Sequence, residues 1–210
     1  EISECLVGSE MCIRDSPKTM NAHLHVLEAY TLLYQCWKDN GLKKRLEFCV
    51  DLFMNRIYDP SRKHFNLFFD NEWNSLVEMD SYGHDVETGW LLCEAARTLE
   101  NQDLIEQTNQ LALDVTEACL AEGMSDKGYM IYEKKGDRKT KHASWWGQIE
   151  TVIACVNAWQ ISGSDVYLQS VDTVWTFVKD HMVDKEYGEW YSDCFDGEPK
   201  KEAPLSLIHI

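Results

Sequence analysis

Apolar residues recur at helical spacing in six segments of the chain, and these segments fall into three pairs. The spacing predicts helices over 20–37, 41–57, 84–99, 102–122, 144–161 and 165–182. An aromatic-rich stretch follows each pair, as in YDPSRKHFNLFFDNEWN, and is typical of a β-hairpin. Each of the three units is therefore predicted to be a helix, a short turn, a second helix and a hairpin-like insertion.

The two helices of each unit differ in their polar faces. The first is apolar nearly all round, apart from one polar stripe, whereas the second has a clear polar face. Helices without a solvent face lie inside a fold and amphipathic ones lie outside. The pattern therefore predicts an all-α fold with three inner and three outer helices, which is about half of an (α/α)6 barrel. Glu28, Glu87 and Glu150 recur at spacings of 59 and 63 residues, longer than the repeats of common solenoids.

The polar stripe of the first helix carries chemistry-bearing residues. Asn21, His25 and Glu28 stand at i, i+4 and i+7, so a helix places them on one face. Such a stripe is either a buried hydrogen-bonded network or the wall of a polar cavity. His23 is two residues from His25 and points almost the opposite way.

Two further polar stations occur at the starts of the other inner helices. His84 and Glu87 are spaced i, i+3 after SYG, and Trp145, Trp146 and Glu150 stand in WWGQIE. An imidazole titrates near neutral pH and both takes and gives protons, although a histidine at a helix start also serves as a cap. Tryptophans beside carboxylates suit the C–H faces of a sugar, and helix-spaced aromatics also fill cores.

Composition excludes several classes of partner. The formal charge of −16 argues against nucleic acid, because phosphate binding needs clustered Lys and Arg, and the basic segment 133–142 is interpreted as a solvated loop. No apolar run reaches the length of a membrane span. No glycine-rich nucleotide-binding motif is present, so no nucleotide cofactor is predicted.

Metal binding is also not predicted. His23 and His25 resemble an H-x-H ligand pair, but on a helix their rings diverge by about 200° and cannot share one ion. His64 and His181 are predicted to be surface residues in or near loops, and His142 is left undecided.

The cysteines favour a reducing compartment. The eight cysteines form no C-x-x-C pair, and five of them sit in apolar helical patterns: Cys36, Cys49, Cys93, Cys119 and Cys155. They are interpreted as small buried hydrophobes of a cytoplasmic protein. Residues 1–16 and 205–210 lack periodicity continuous with their neighbours and resemble translated vector sequence. We therefore predict a non-native leader, a partial domain over 17–204 and a non-native tail.

Four stretches together resemble one known family. KTMNAHLHVLEAY, SYGHDVETGWLLCEAA, WWGQIE and VDKEYGEWY are similar in order and spacing to the cellobiose 2-epimerases of the N-acylglucosamine 2-epimerase superfamily, whose fold is an (α/α)6 barrel. The resemblance implies epimerisation at C2 of the reducing-end sugar of a β-1,4 disaccharide, as in cellobiose to glucosyl-mannose or lactose to epilactose. It implies an enediolate intermediate, and neither metal nor nucleotide.

The resemblance also implies roles for residues of this chain. His84 would be an acid/base histidine, and His25 the supporting histidine at the carbonyl end of the sugar. Asn21, Glu87 and Glu150 would hold hydroxyls, and Trp146 with Trp145 would pack against the substrate. The family's second acid/base histidine falls beyond residue 204 and has no match here, nor does a substrate-binding arginine from the N-terminal half. The resemblance therefore implies a fragment that is inactive alone.

Other functions remain open at this point. A toroidal glycoside hydrolase would use two of the carboxylates Glu28, Asp85, Glu87 and Glu150 as an acid and base pair. A helical-repeat scaffold would present the same concave face without catalysis. Within the resembling superfamily, an N-acylglucosamine 2-epimerase or an aldose–ketose isomerase would use the same proton-transfer site.

Overall fold

Six helices lie in the segments where apolar spacing predicts them. The computed structural model describes residues 18–200, so the predicted boundaries near residues 16 and 205 lie outside the described residues. The helices are α1 (Met20–Cys36), α2 (Asn40–Leu52), α3 (Tyr82–Leu99), α4 (Gln102–Gly123), α5 (Trp145–Ser162) and α6 (Asp165–Phe177). In this part of the chain no helix is both long enough and apolar enough to cross a bilayer.

Two of the outer helices end in a wider turn. Helix α2 continues as a π-helical turn over Phe53–Ile57, and α6 does the same over Val178–Met182. In each, the N–H of the following residue donates to the carbonyl five residues back. The apolar spacing predicts each outer helix and its π-helical turn as one segment, because both bury the same face.

Polar side chains fix where four of the helices begin. The side-chain oxygens of Thr19, Asp39, Asn101 and Ser144 accept hydrogen bonds from backbone N–H groups in the first turns of α1, α2, α4 and α5. These groups have no partner inside the helix, so the caps stabilise the first turns.

Short antiparallel strands join the three units at one end of the helices. They are β1 (Lys18–Thr19), β2 (Tyr58–Asp59), β3 (His64–Phe65), β4 (Phe68–Phe69), β5 (Met79–Asp80), β6 (Lys134–Lys135), β7 (Arg138–Lys139), β8 (His142–Ser144), β9 (Asp193–Phe195) and β10 (Glu198–Pro199). Two pairings connect different units, because β5 pairs with β6 and β8 pairs with β9. Strands β1 and β8 run directly into α1 and α5, and β5 ends two residues before α3. A strand of a different sheet thus precedes each of the three inner helices.

The helices form a two-layered arc. Inner helix α3 packs against both other inner helices, α1 and α5, while α4 covers its outer side. Large apolar side chains are exposed on α1 and α5, for example Val26, Leu33 and Trp159, but none is exposed on α3. The middle unit thus has neighbours on both sides, whereas the two flanking units have one each.

Two predictions about individual side chains are wrong. His64 is only 1% exposed, because β3 carries it beneath the first turn of α3 rather than out to solvent. Cys36 is exposed at the end of α1, whereas the other four cysteines of the helical patterns are buried as predicted. His181 is half-buried and stacks on Phe177 in the last turn after α6.

Candidate active site

A cavity of about 390 Å³ opens beside the N-terminal turns of α1, α3 and α5. We call it the cleft, and its lining residues are Asn21, His25, His84, Glu87, Tyr132, Trp146 and Glu150. Six of these are residues that the sequence predicts for the site, and they come from three different helices. The volume lies within the range of small-molecule sites in proteins.

His84 lies at the centre of the cleft lining, in the first turn of α3. Its Nδ1 is 2.8 Å from the hydroxyl oxygen of Ser81, which fixes the plane of the ring. Burial, together with the neighbouring His25, lowers the pKa of His84 to about 4. The imidazole is therefore neutral at pH 7, and it is a general base when Nδ1 donates to Ser81 and leaves the Nε2 lone pair open.

Trp146 forms one wall beside His84. Their ring centroids are 4.7 Å apart. This approach depends on Gly83, because a Cβ on that residue would lie 2.7 Å from Cζ3 of the Trp146 ring. The same Cβ would lie 3.2 Å from the Cα of Gly147, so Gly83 also lets α3 and α5 cross closely.

Two carboxyl groups of the cleft differ in their partners. Burial, together with the neighbouring Glu150 and Glu28, raises the pKa of Glu87 to about 8. Glu87 therefore holds a proton at pH 7 and is able to donate a hydrogen bond. Burial also raises the pKa of Glu150, but the Trp90 indole N–H donates to its Oε2 at 2.7 Å and opposes that shift.

His25 and Asn21 form the more open side of the cleft. The His25 side chain is 60% exposed, and its Nδ1 lies 3.2 Å from Oε2 of Glu28. Glu28 orients His25 but does not line the cleft itself. Asn21 also lines an adjoining cavity of about 340 Å³ together with Phe68 and Met79. The cleft thus continues into a second, more apolar compartment.

Several candidate residues lie elsewhere. Trp145 is not brought into the cleft, because its side chain packs against the hydrophobic core. His23 contacts the Thr19 carbonyl and the Trp73 ring, so it points away from His25 as helical geometry predicts. Asp85 is fully buried on the other side of α3, which removes it from any acid and base pair in the cleft.

The structure adds residues that the sequence patterns did not single out. Tyr132 lines the cleft and meets the Trp146 ring edge-on at 5.9 Å, but it comes from an irregular segment that has no periodicity. Ser81 precedes α3 and Trp90 follows Glu87 by three residues. Extending the i, i+3 stripe of α3 by one step would have found Trp90.

His142, which the sequence left undecided, lies behind Tyr132. Its Nε2 is 2.5 Å from Oδ1 of Asp193, and its ring stacks on Phe195 and makes a tilted contact with Tyr132. His142 therefore supports a wall of the cleft rather than lining it.

Within residues 18–200, two groups of side chains come close enough to share an ion, and both contain His64. One adds Asp85 and Cys119, and the other adds Asp80 and Glu122. Their carboxylates already have cationic or donor partners: Asp85 pairs with His64, Asp80 with Arg62, and Glu122 with Lys134. We therefore interpret these groups as an ion-pair network and assign neither to a metal.

Comparison with curated proteins identifies related sequences. The chain is 42% identical over 178 residues to a cellobiose 2-epimerase of Bacteroides fragilis, covering 83% of this chain and 45% of that protein. It is 38% identical over 175 residues to a cellobiose 2-epimerase of Dictyoglomus turgidum, with the same two coverages. The chain spans about half the length of the curated relatives it matches.

Solved structures show the same architecture. The cellobiose 2-epimerase of Bacillus thermoamylovorans B4167 superposes with a TM-score of 0.86 at 34% identity, covering 91% of this chain and 49% of that one. A GH76 α-mannanase of Bacteroides thetaiotaomicron matches with a TM-score of 0.67 at 14% identity, which shows a shared fold alone. These neighbours confirm the predicted fold class, about half of an (α/α) barrel.

The family assignment follows from a match along nearly the whole chain. The family model for N-acylglucosamine 2-epimerase (GlcNAc 2-epimerase) matches residues 10–206. This range contains all three helical pairs and every residue that lines the cleft. The chain therefore belongs to the N-acylglucosamine 2-epimerase family.

Proposed function

We propose that the cleft binds the reducing-end sugar of a β-1,4 disaccharide such as cellobiose and epimerises it at C2. The observation that carries the proposal is a neutral His84 in a cavity shared with a protonated Glu87 and the face of Trp146. The names of the related cellobiose 2-epimerases support the choice of a disaccharide over an N-acylated monosaccharide.

The reaction begins with the open-chain aldehyde, whose carbonyl acidifies the proton on C2. The free nitrogen of His84 takes this proton, the electron pair of the C2–H bond moves towards the carbonyl, and an enediolate forms. A proton then returns to C2 from the opposite face, which inverts that carbon. We expect the opposite-face acid to be the histidine that the resemblance implies beyond residue 204.

The other residues of the cleft stabilise the charge and hold the sugar. Glu87 donates a hydrogen bond to the sugar oxygen on which negative charge develops. His25, whose ring pairs with Glu28, supports the carbonyl end of the sugar. Asn21 and Glu150 bind hydroxyl groups, and Trp146 packs against a C–H face of the ring. Trp145 has no role in this assignment.

Isotope exchange tests the proposal. Residues 18–200 are grafted in place of the matching segment of a full-length relative, and the graft is incubated with cellobiose in D2O alongside the chain itself. Deuterium at C2 with the glycosidic bond intact, read by NMR, supports epimerisation. Free glucose would instead show a hydrolase, and a ketose product an aldose–ketose isomerase.

A matched variant assigns the base. His84→Asn in the graft is expected to abolish exchange, whereas His23→Asn, on the same end of the arc but outside the cleft, retains it. A graft that folds and leaves cellobiose unlabelled while exchanging N-acetylglucosamine would overturn the disaccharide assignment. Retained exchange in His84→Asn would overturn the role of His84.

The described cysteines bear on location. All six within residues 18–200 are free thiols, and five are buried. Free thiols persist in reducing compartments. We therefore propose that the protein acts in the cytoplasm.

A further inference from the structure

His64 is the buried histidine beneath the first turn of α3. Its Nδ1 lies 2.7 Å from Oδ2 of Asp85, and the other oxygen of that carboxylate accepts the N–H of Phe65 at 2.9 Å. Asp85 is fully buried and His64 is 1% exposed. Strand β3 is thus joined to α3 through a single carboxylate, one residue after His84.

The second nitrogen of the His64 ring has no hydrogen-bond partner, although it is buried. It faces carboxylates on two other elements: Oε1 of Glu122 on α4 at 3.7 Å, and Asp80 on β5. The neighbouring cations are already engaged, since Arg62 donates to Asp80 and Lys134 donates to Glu122. No N–H therefore points at Nε2, and a lone pair there would face negative charge.

A proton on Nε2 resolves this conflict. Burial lowers the pKa of His64, but the hydrogen bond to Asp85 and the charges of Asp85, Asp80 and Glu122 outweigh it, so the pKa is raised. The remaining neighbours are the Tyr82 ring, edge-on at 5.8 Å, and the Cys119 thiol, 4.0 Å from Asp85. Neither of them adds positive charge.

We propose that His64 is a positioning residue: as an imidazolium held between Asp85 and Glu122, it fixes the first turn of α3 and so aims His84 into the cleft. The link is short. The Asp85 N–H donates to the Ser81 carbonyl at 2.9 Å, and the Ser81 hydroxyl meets His84 Nδ1. The consequence for catalysis rests on the proposed function, whereas the charge state and the link to His84 do not.

Side-chain NMR of the chain itself tests the charge state. We expect both ring nitrogens of His64 to carry protons at pH 7, while His84 carries one. Asp85→Asn keeps an acceptor for His64 but removes its charge, so His64 is expected to lose its second proton at a lower pH than in the parent. A neutral His64 at pH 7 in the parent would overturn the proposal.

The link to His84 has its own readout. His64→Gln is expected to shift the His84 ring signals and to change its protonation midpoint, because the Ser81 contact loosens. His181→Gln, a half-buried histidine remote from α3, is the matched control and is expected to leave His84 unchanged. Unchanged His84 signals in a folded His64→Gln chain would overturn the positioning role.

The remaining possible outcome is that a metal ion, rather than a proton, binds Nε2 of His64. If Zn²⁺ raises the melting temperature of the parent but not of His64→Gln, Nε2 binds a metal and the proposal fails. In a graft that exchanges deuterium, His64→Gln is expected to lower kcat at least tenfold and to leave KM within twofold. Unchanged kcat would overturn the effect on catalysis, and a graft without exchange would contradict the proposed function alone.

Discussion

His84 and His64 lie on opposite sides of the first turn of α3 and have pKa values shifted in opposite directions. Both are largely removed from water, so burial lowers the pKa of each. The His84 ring contacts the Ser81 hydroxyl, burial and the neighbouring His25 act on it, and its pKa falls to about 4. His64 has the carboxylate of Asp85, and its pKa rises. The partner, not the burial, decides which imidazole is a base and which is a fixed cation.

The largest expected effect comes from removing the carboxylate partner on the buried side. Asp85→Ala would leave the His64 imidazole buried without its counter-charge and the Phe65 N–H without an acceptor. Loss of one member of a buried pair costs about 3–5 kcal/mol in the free energy of unfolding. Urea unfolding measures it. The control is Asp193→Ala, whose partner His142 is partly exposed, and an equal loss in both would contradict the contrast.

On the cleft side, the next effect comes from filling the gap between α3 and Trp146. Gly83→Ala places a methyl group 2.7 Å from the Trp146 ring and 3.2 Å from Gly147 Cα, so the helices must separate. Overpacking of this kind costs about 1–3 kcal/mol. Gly89→Ala, on the same helix but with its nearest contact at 3.5 Å, is expected to be neutral or stabilising. Denaturation midpoints and tryptophan fluorescence would distinguish the two variants.

The pH dependence of stability sharpens the comparison, because the two shifts have opposite signs. The pKa of His84 is lowered, so its contribution is present above pH 6.5 and is lost as the pH falls towards 4. The raised pKa of His64 gives a contribution that is present below pH 6.5 and lost as the pH rises through its folded value.

Unfolding midpoints from pH 4 to 9 would measure both contributions. The stability advantage of the parent over His84→Gln is expected to shrink on acidification, and its advantage over His64→Gln to shrink on alkalinisation. Parallel trends in the two variants would mean that both imidazoles have the same kind of environment.

The smallest effect on stability is expected at the exposed edge of the cleft. His25→Ala removes a pair with Glu28 whose side chains are 60% and 43% exposed, which is worth about 0.2–1 kcal/mol. The same change is expected to weaken cellobiose binding, measured by calorimetry, because His25 lines the cleft. A large loss of stability with unchanged cellobiose binding would mean that His25 stabilises the fold and does not bind the sugar.

Helical spacing predicted the cleft side of this comparison well. The six helices and the residues Asn21, His25, His84 and Glu87 follow from a polar stripe on an otherwise apolar helix, which is a local signal. Spacing did not separate Trp145 from Trp146, because adjacent residues at a helix start differ by about 100° and the packing of α3 against α5 decides which one faces the cleft.

The buried side could not be predicted in the same way. His64 lies 21 residues before Asp85, in a hairpin whose two-residue strands carry no periodicity. Their contact depends on where that hairpin folds back against α3, which is a tertiary property. Isolated polar residues near turns are commonly solvated, so the sequence favoured a surface position for His64.

The π-helical turn over Phe53–Ile57 acts as a spacer of fixed length between α2 and the hairpin that carries His64. The turn is closed by a hydrogen bond that spans five residues rather than the four of an α-helix, so its residue count fixes the direction in which the chain leaves α2. Deleting one residue from the turn would therefore swing β3 around the helix axis and carry the imidazole away from Asp85. The protonation state of His64 therefore depends on the length of the turn that ends α2.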